Sequence, residues 1–245
     1  MDRTLRDVAE VGPFFAVRTG PGRPRAHGYR PLAEVYGAPA PDAAAGAAPD
    51  TPHPVRERAA DVAVRLGTPE LRVGASLAFQ GLAARLWSVA LGAAVLADRV
   101  PDLAADRLWW NPALSAPDEL WLPHPSALPG SGDLAGQLAD AVLAGHLVPL
   151  HRATREAGPV ADGLLWGNAG SALAGSLRVL HTWCVAHGRT ERARGSLDLA
   201  ERLFREPPLH GTGTLDRATV GFVRRSCCLY YRVPGGGLCG DCVLR

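Results

Sequence analysis

The stretch "LLWGNAGSALAGSLRVLHTWC", Leu164–Cys184, decides the fold of the middle of the chain. Its apolar and small residues recur every three or four positions, which predicts one long helix with a buried face. The residues on this face are Leu165, Ala169, Ala172, Leu173, Ser176, Leu177, Leu180 and Cys184. Because the face is rich in Gly, Ala and Ser, we expect another segment of the chain to approach this helix closely.

Further helical patterns lie on both sides of this stretch. Val55–Leu66 places its apolar residues on one helical face, and Thr68 supplies an N-cap for the next helix. Asp133 and Thr190 each begin another helix, and the last of these must end before Pro207. The fold class is therefore predicted to be mainly α.

A strand-like region interrupts the helices. "RLWWNPALSAPDELWLP", Arg107–Pro123, has short alternating runs separated by Pro, Asn, Ser and Asp. This pattern predicts a small hairpin or two short strands. A few short strands beside a helical domain leave α+β as the alternative fold class.

One apolar run, Val73–Ala97, is about as long as a membrane span. Gln80 and Arg85 lie in its middle, where a charge is costly in lipid. The run is therefore predicted to be a buried helix, broken near Trp87 and Ser88, and no membrane span is expected.

Three parts follow along the chain. Residues 1–50 are predicted to form an N-terminal arm that ends in the flexible Ala/Pro-rich loop "APAPDAAAGAAPD", Ala38–Asp50. Residues 51–206 form the helical domain, and residues 207–245 form a small Cys-rich lobe. "EPPLHGTGTLD", which begins at Glu206, is predicted to be the tether to this lobe.

Composition limits the partners and the compartment. The 245 residues are 47% apolar and carry a formal net charge of only +2, so neither nucleic acid nor an anionic membrane surface is an expected partner. The first twenty residues lack the apolar core of a signal peptide, which predicts a cytoplasmic protein. Cysteine clusters in that compartment more often bind metal than form disulfides.

Four of the five cysteines lie close to the C-terminus with the spacing C-C-x10-C-x2-C: Cys227, Cys228, Cys239 and Cys242. Neighbouring cysteines do not readily form a disulfide with each other. A structural zinc site usually takes its ligands from two short knuckles, and only Cys239 and Cys242 form one. An iron–sulfur cluster accepts ligands over a wider volume, and "LYYRVPGGGL" is expected to begin as a strand and turn back at its glycines. All three chemistries remain open on spacing alone, with the cluster favoured.

"SCCLYYRVPGGGLCGDC", Ser226–Cys242, resembles the terminal signature of the FhuF-like ferric siderophore reductases. "LLWGNAGSALAG", Leu164–Gly175, is similar to a second segment of that family. The resemblance implies that the four terminal cysteines bind a [2Fe-2S] cluster, which reduces a ferric siderophore by one electron. A hydroxamate siderophore, a separate electron donor such as a ferredoxin or flavin reductase, and transient contact with a siderophore importer are the partners it implies.

Other residues are candidates for docking. Arg224, Arg225 and Arg232 lie near the cysteines in sequence and could offset the cluster's charge or attract an anionic partner. Trp166 and Asn168 belong to the family-like segment and could contact the siderophore. The alternative interpretation is that the arginines are solvated, Trp166 is core, and Asn168 joins two elements of the fold.

Two other functions are consistent with the sequence. The cysteines could hold a zinc ion in a siderophore-binding or interaction module without redox activity. They could also hold the cluster of an iron–sulfur sensor, although the sequence offers no basic DNA-reading helix.

Overall fold

A computed structural model of the chain describes residues 1–38, 53–130 and 132–245. The helices in these residues are α1 (Asp2–Ala9), α2 (Leu32–Val35), α3 (Pro54–Arg65), α4 (Leu71–Ala97), α5 (Leu134–Leu138), α6 (Val148–Ala157), α7 (Asp162–Ala186) and α8 (Thr190–Leu203). A π-helical segment, Ala139–Leu147, joins α5 to α6, and short 3-10 turns occupy Pro13–Phe15, Pro24–His27 and Tyr230–Arg232. The prediction of a mainly α fold with a few short strands is confirmed.

The strands are short. A four-stranded sheet contains β1 (Arg18–Thr19), β2 (Arg30–Pro31), β3 (Trp109–Trp110) and β4 (Leu120–Leu122) in the order β1-β4-β3-β2. β3 and β4 pair antiparallel, as the pattern in Arg107–Pro123 predicts. β5 (Gly213–Asp216) and β6 (Gly221–Arg224) form a separate hairpin.

α4 lies at the centre of the fold, where it contacts α1, α3 and α7. By length and composition α4 could cross a membrane, but 78% of its most apolar stretch is buried inside the protein, as expected for a core helix. The predicted break near Trp87 and Ser88 is wrong, because the helix continues through both residues. The Ser88 hydroxyl lies 2.8 Å from the Ser176 hydroxyl of α7, so its polar group is satisfied without a kink.

The N-terminal residues pack onto this core. Leu5, Val8 and Phe15 are buried in the same hydrophobic cluster as α4. Residues 1–38 therefore contribute side chains to the hydrophobic core. The loop predicted at Ala38–Asp50 lies, beyond its first residue, outside the described residues, and the three-part division of the chain stays a prediction.

The segment predicted to be a tether contains a strand. Gly213–Asp216 pairs with Gly221–Arg224, so the terminal lobe begins with a hairpin. The sequence of this segment predicted a tether because it contains glycines and lacks the strong alternation of apolar residues that is typical of a strand. The hairpin packs against α7. This packing places Arg224, the last residue of β6, beside that helix.

α3 and α4 approach closely at Gly74. A Cβ atom at this position would lie 2.0 Å from the Ala59 carbonyl oxygen, whereas a Cβ at Gly81 in the same helix would meet nothing within 4 Å. We therefore expect Gly74→Ala to lower the free energy of unfolding by roughly 1–3 kcal/mol, since backbone must move. Gly81→Ala should leave stability unchanged or raise it by up to about 1 kcal/mol. Chemical denaturation of both variants checks this, and equal stability of the pair would contradict the packing.

Candidate metal centre

The four terminal cysteines lie in a lobe that packs on α7 and on the start of α4. Cys228 and Cys242 are buried, with 2% and 4% of their surface exposed, while Cys227 and Cys239 are partly exposed. A group held by all four would therefore be covered on one side and reach the surface on the other.

Backbone amides point at three of the sulfurs. Leu229 N–H donates to Cys227 Sγ at 3.3 Å, and Leu244 N–H donates to Cys242 Sγ at 3.3 Å. Tyr230 N–H makes the same contact with Cys228. Each donor follows its cysteine by two residues, and such bonds stabilise thiolates and raise the potential of an iron–sulfur cluster.

These hydrogen bonds correct the prediction that "LYYRVPGGGL" begins as a strand. Leu229 has a φ of 68° in the left-handed region, and Tyr230–Arg232 forms a 3-10 turn. The amides of Leu229 and Tyr230 are directed at sulfur, so they cannot take part in a strand ladder. The alternation of apolar residues in this segment predicted a strand, but the backbone turns where the Leu229 and Tyr230 amides are directed at the cysteine sulfurs.

The thiol of Cys228 is in hydrogen-bonding contact with Cys239, which brings together the two halves of the motif. Burial raises the pKa of Cys228 to about 11, and the contact with Cys239 acts in the same direction. The thiol is therefore protonated at neutral pH in the metal-free chain. Binding of iron must displace this proton, which couples metal loading to pH.

The arrangement can be tested against a single metal ion. Within residues 1–38, 53–130 and 132–245, no three His, Cys, Asp or Glu side chains surround one point as the ligands of a single ion would. Tetrahedral zinc needs four donors around one centre, whereas the two irons of a [2Fe-2S] cluster each take two. The contact between Cys228 and Cys239 brings together one donor from each half of the motif, as a [2Fe-2S] cluster held by all four cysteines requires.

A buried polar network holds the first cysteine pair in place. The Asn168 side-chain amide donates to the Ser76 carbonyl oxygen at 2.8 Å and contacts the Ser76 hydroxyl oxygen at 2.9 Å. The Ser76 hydroxyl donates to the Cys228 carbonyl oxygen at 2.7 Å. Asn168 also accepts from Arg224 Nη2 at 2.5 Å. Asn168 thus joins α4, α7 and the terminal lobe.

Arg224 supplies a buried positive charge beside this pair. Its side chain is about 1% exposed, and its Nε and Nη1 donors have no hydrogen-bond partner among the described residues. Its charge acts on Cys228, whose pKa it lowers. A buried cation is costly unless a negative charge balances it, and a [2Fe-2S] cluster with four thiolates carries about −2. The two donors of this guanidinium that lack partners among the described residues therefore fit an anionic cluster at this site.

The second cysteine pair is tied to α7 through Asp241. Its carboxylate accepts from the Ser171 hydroxyl at 2.5 Å and from Arg178 Nη2 at 3.1 Å, and its carbonyl oxygen accepts from the Arg224 amide at 3.1 Å. The Asp241 side chain thus connects the knuckle to a helix that is distant in sequence.

Small residues on α7 make this close approach possible, as the sequence predicts. A Cβ atom at Gly167 would lie 2.0 Å from the Ser226 hydroxyl oxygen, and one at Gly170 would lie 2.5 Å from the Thr212 hydroxyl oxygen. Cys184 lies on the same helix and is buried, and this burial raises the pKa of its thiol. It behaves as a buried apolar residue, as predicted.

The candidate docking residues separate into two groups. Asn168 and Arg224 are buried and cannot belong to an exposed docking surface, because the network described above occupies them. Arg225 is exposed and, with Trp166, lines a surface cleft of about 460 Å³. The ring of Trp166 stacks on that of His151 at 4.7 Å. Arg232 is exposed and pairs with Glu70 at 2.7 Å.

Comparison with known families agrees with this geometry. Residues 224–244 match the FhuF 2Fe-2S C-terminal domain, a stretch that contains all four cysteines and Arg224. No curated protein matches the chain. The chain therefore carries a FhuF-type 2Fe-2S C-terminal domain, and the resemblance predicted from the sequence is confirmed. Its cofactor is a [2Fe-2S] cluster, and the match supports an iron–sulfur protein of siderophore iron handling.

Sequence reasoning missed several residues of the site. Ser76 and Ser171 lie more than 50 positions from the cysteines, and nothing in their local pattern connects them to the lobe. A polar residue on an otherwise buried helical face was the available signal, because such a group needs a partner from elsewhere in the fold.

Proposed function

We propose that this protein reduces ferric siderophores by one electron and thereby releases ferrous iron in the cytoplasm. The observation that carries this proposal is the exposure of Cys227 and Cys239, in a lobe whose other two cysteines are buried. A purely structural centre has no need of an exposed edge, whereas a centre that exchanges electrons with other molecules does. The proposal takes its chemistry from the FhuF-type domain.

The reaction needs little from the protein beyond binding and electrostatics. Ferric ion is held very tightly by hydroxamate or catecholate oxygens, and ferrous ion is held much more weakly by the same hard ligands. When bound, a [2Fe-2S] cluster supplies one-electron transfer. The electron comes from a separate donor, for which a ferredoxin or flavin reductase is the expected class, and passes to the chelated ferric ion.

The chain's own residues have defined parts in this proposal. Cys227, Cys228, Cys239 and Cys242 hold the cluster, and the amides of Leu229, Tyr230 and Leu244 stabilise the sulfurs. Arg224 balances the negative charge, which favours acceptance of an electron. Arg225 and Arg232 are exposed near the lobe and are candidates for contact with an acidic donor. Contact with a siderophore importer stays a prediction.

Turnover with a donor tests this function. The holoprotein is supplied with a reduced ferredoxin system and a ferric trihydroxamate, and ferrous iron is trapped by a coloured ferrous chelator. We expect ferrous iron to form in proportion to the concentration of holoprotein and not with metal-free protein. Equal rates with and without holoprotein would overturn the proposal.

A further inference from the structure

A cavity lies beside the cysteine lobe and shares the Cys239–Asp241 knuckle with it. It has a volume of about 420 Å³ and lies between the Pro13–Phe15 turn, α4, α7 and the Cys239–Asp241 knuckle. This volume is in the range of small-molecule sites, which are usually concave and largely apolar. Since Cys239 and Gly240 form part of its wall, a molecule in the cavity would lie directly against a cluster ligand.

The rim of the cavity is apolar and exposed. Phe14 is 44% exposed and Val179 is 48% exposed, and they contribute to its wall from two different elements. Large exposed apolar side chains that converge on one concavity are typical of a binding site. Such a surface suits the organic shell of a ligand.

The polar groups of the cavity are few. Arg178 lines it but is paired with Asp241 at 3.1 Å, so the wall offers no uncompensated positive charge. The Gln80 amide nitrogen contacts the Ser171 hydroxyl at 3.5 Å, while Gln80 Oε1 has no hydrogen-bond partner among the described residues. Because that oxygen is itself buried, the cavity presents mainly apolar walls without uncompensated charge, which suits an uncharged ligand.

The wall that carries Phe14 is held rigidly. The buried Arg85 guanidinium donates to the carbonyl oxygens of Pro13, at 2.8 Å, and of Phe14. Glu119 balances its charge at 2.9 Å, and both side chains are buried. A turn fixed by a buried ion pair keeps its shape before a ligand arrives, so the cavity is preformed.

We propose that this cavity binds the organic shell of the ferric chelate, so that the electron leaves the protein on the Cys239 side. This inference rests on the proposed function and identifies the site at which the ferric chelate binds. A bound, reduced [2Fe-2S] cluster would supply the one electron that converts the chelated ferric ion to ferrous, and would itself be oxidised by one electron. No bond or proton need change hands in that step, and the donor named above restores the electron. A protein donor is the poorer occupant, since protein partners need a patch of about 800 Å² on each side and not a small concavity.

A glycine in the cavity wall allows a matched test. Gly175 on α7 lines the cavity, and a Cβ there would meet nothing within 4 Å; the same is true of Gly195 on α8, which does not line it. Gly175→Phe should fill the cavity without displacing backbone, and Gly195→Phe is the control. Both variants should keep the wild-type visible spectrum.

Binding and electron transfer are then measured separately. Calorimetry with a gallium trihydroxamate, which cannot be reduced, should show binding to the oxidised holoprotein and to Gly195→Phe, with affinity lower by roughly tenfold or more in Gly175→Phe. Reoxidation of the reduced protein by the ferric trihydroxamate should slow by a similar factor, while reoxidation by ferricyanide should be unchanged.

The outcomes distinguish the two proposals. If the wild type is reoxidised by the ferric chelate but Gly175→Phe binds and reacts equally well, the cavity assignment is overturned and the reductase function stands. If the wild type neither binds the gallium chelate nor reacts with the ferric one, both are overturned. Should Gly175→Phe lose its cluster, Phe14→Ala replaces it, and its binding of the gallium chelate must be weaker than that of the wild type for the assignment to hold.

Discussion

Cys239→Ser loses the cluster or strongly alters its visible spectrum. The Cys239 sulfur contacts Cys228, and the Cys239 carbonyl oxygen accepts the Cys242 amide at 3.2 Å, so this residue connects the two halves of the ligand set. A serine oxygen is a poorer ligand for iron than a thiolate, because hydroxyl loses its proton far less readily. Iron and sulfide bound per chain, together with the visible spectrum, measure the effect.

Cys184→Ala is the matched control for this variant. Cys184 is buried in α7 and lies outside the C-C-x10-C-x2-C motif. It should retain the full iron and sulfide content, with only a modest loss of stability. A Cys239→Ser protein with unchanged iron content and spectrum would remove Cys239 from the ligand set.

Arg224→Met should make the reduction potential of the cluster more negative. The buried guanidinium balances negative charge that increases when the cluster accepts an electron, so its removal disfavours the reduced state. We expect a shift on the order of 60 mV or more, which corresponds to a tenfold change in a one-electron equilibrium. A spectroelectrochemical titration measures this shift.

Arg224→Lys separates charge from packing. It keeps the positive charge but replaces the planar guanidinium whose Nη2 donates to Asn168, so its potential should lie between those of the wild type and Arg224→Met. A potential that is the same in all three proteins would show that Arg224 has only a structural role. Asn168→Leu should lower cluster retention as well, since it removes the acceptor of the Arg224 Nη2 donor and the amide that donates to Ser76.

The sequence predicted the parts of this site that depend on local pattern. The helical period of Leu164–Cys184 and its small residues anticipated both α7 and the close approach of the lobe to Gly167. The spacing of the cysteines indicated their shared role. Each of these signals lies within one continuous segment, where side-chain period and spacing translate directly into geometry.

The features of the site that the sequence did not predict depend on contacts between residues far apart in the chain, or on hydrogen bonds to the cysteine sulfurs. Arg178 and Asp241 meet across 63 positions, and neither carries a local sign of the other. Tyr230–Arg232 has the alternation of a strand, yet its neighbouring amides are directed at sulfur and the backbone turns. Arg224 was a candidate to offset the cluster's charge or to attract a partner, but nothing in its local sequence predicted that it would be buried.

The central claim is that the four sulfurs hold an electron carrier that reduces chelated iron. The most direct test is a single turnover: holoprotein is reduced anaerobically with dithionite, freed of excess reductant, and mixed with one equivalent of a ferric trihydroxamate and a ferrous chelator. We predict that the visible bands bleach on reduction and return on mixing, with one ferrous ion trapped per cluster. A reduced cluster that stays bleached while no ferrous iron appears, or a colourless protein that contains zinc, would contradict this account.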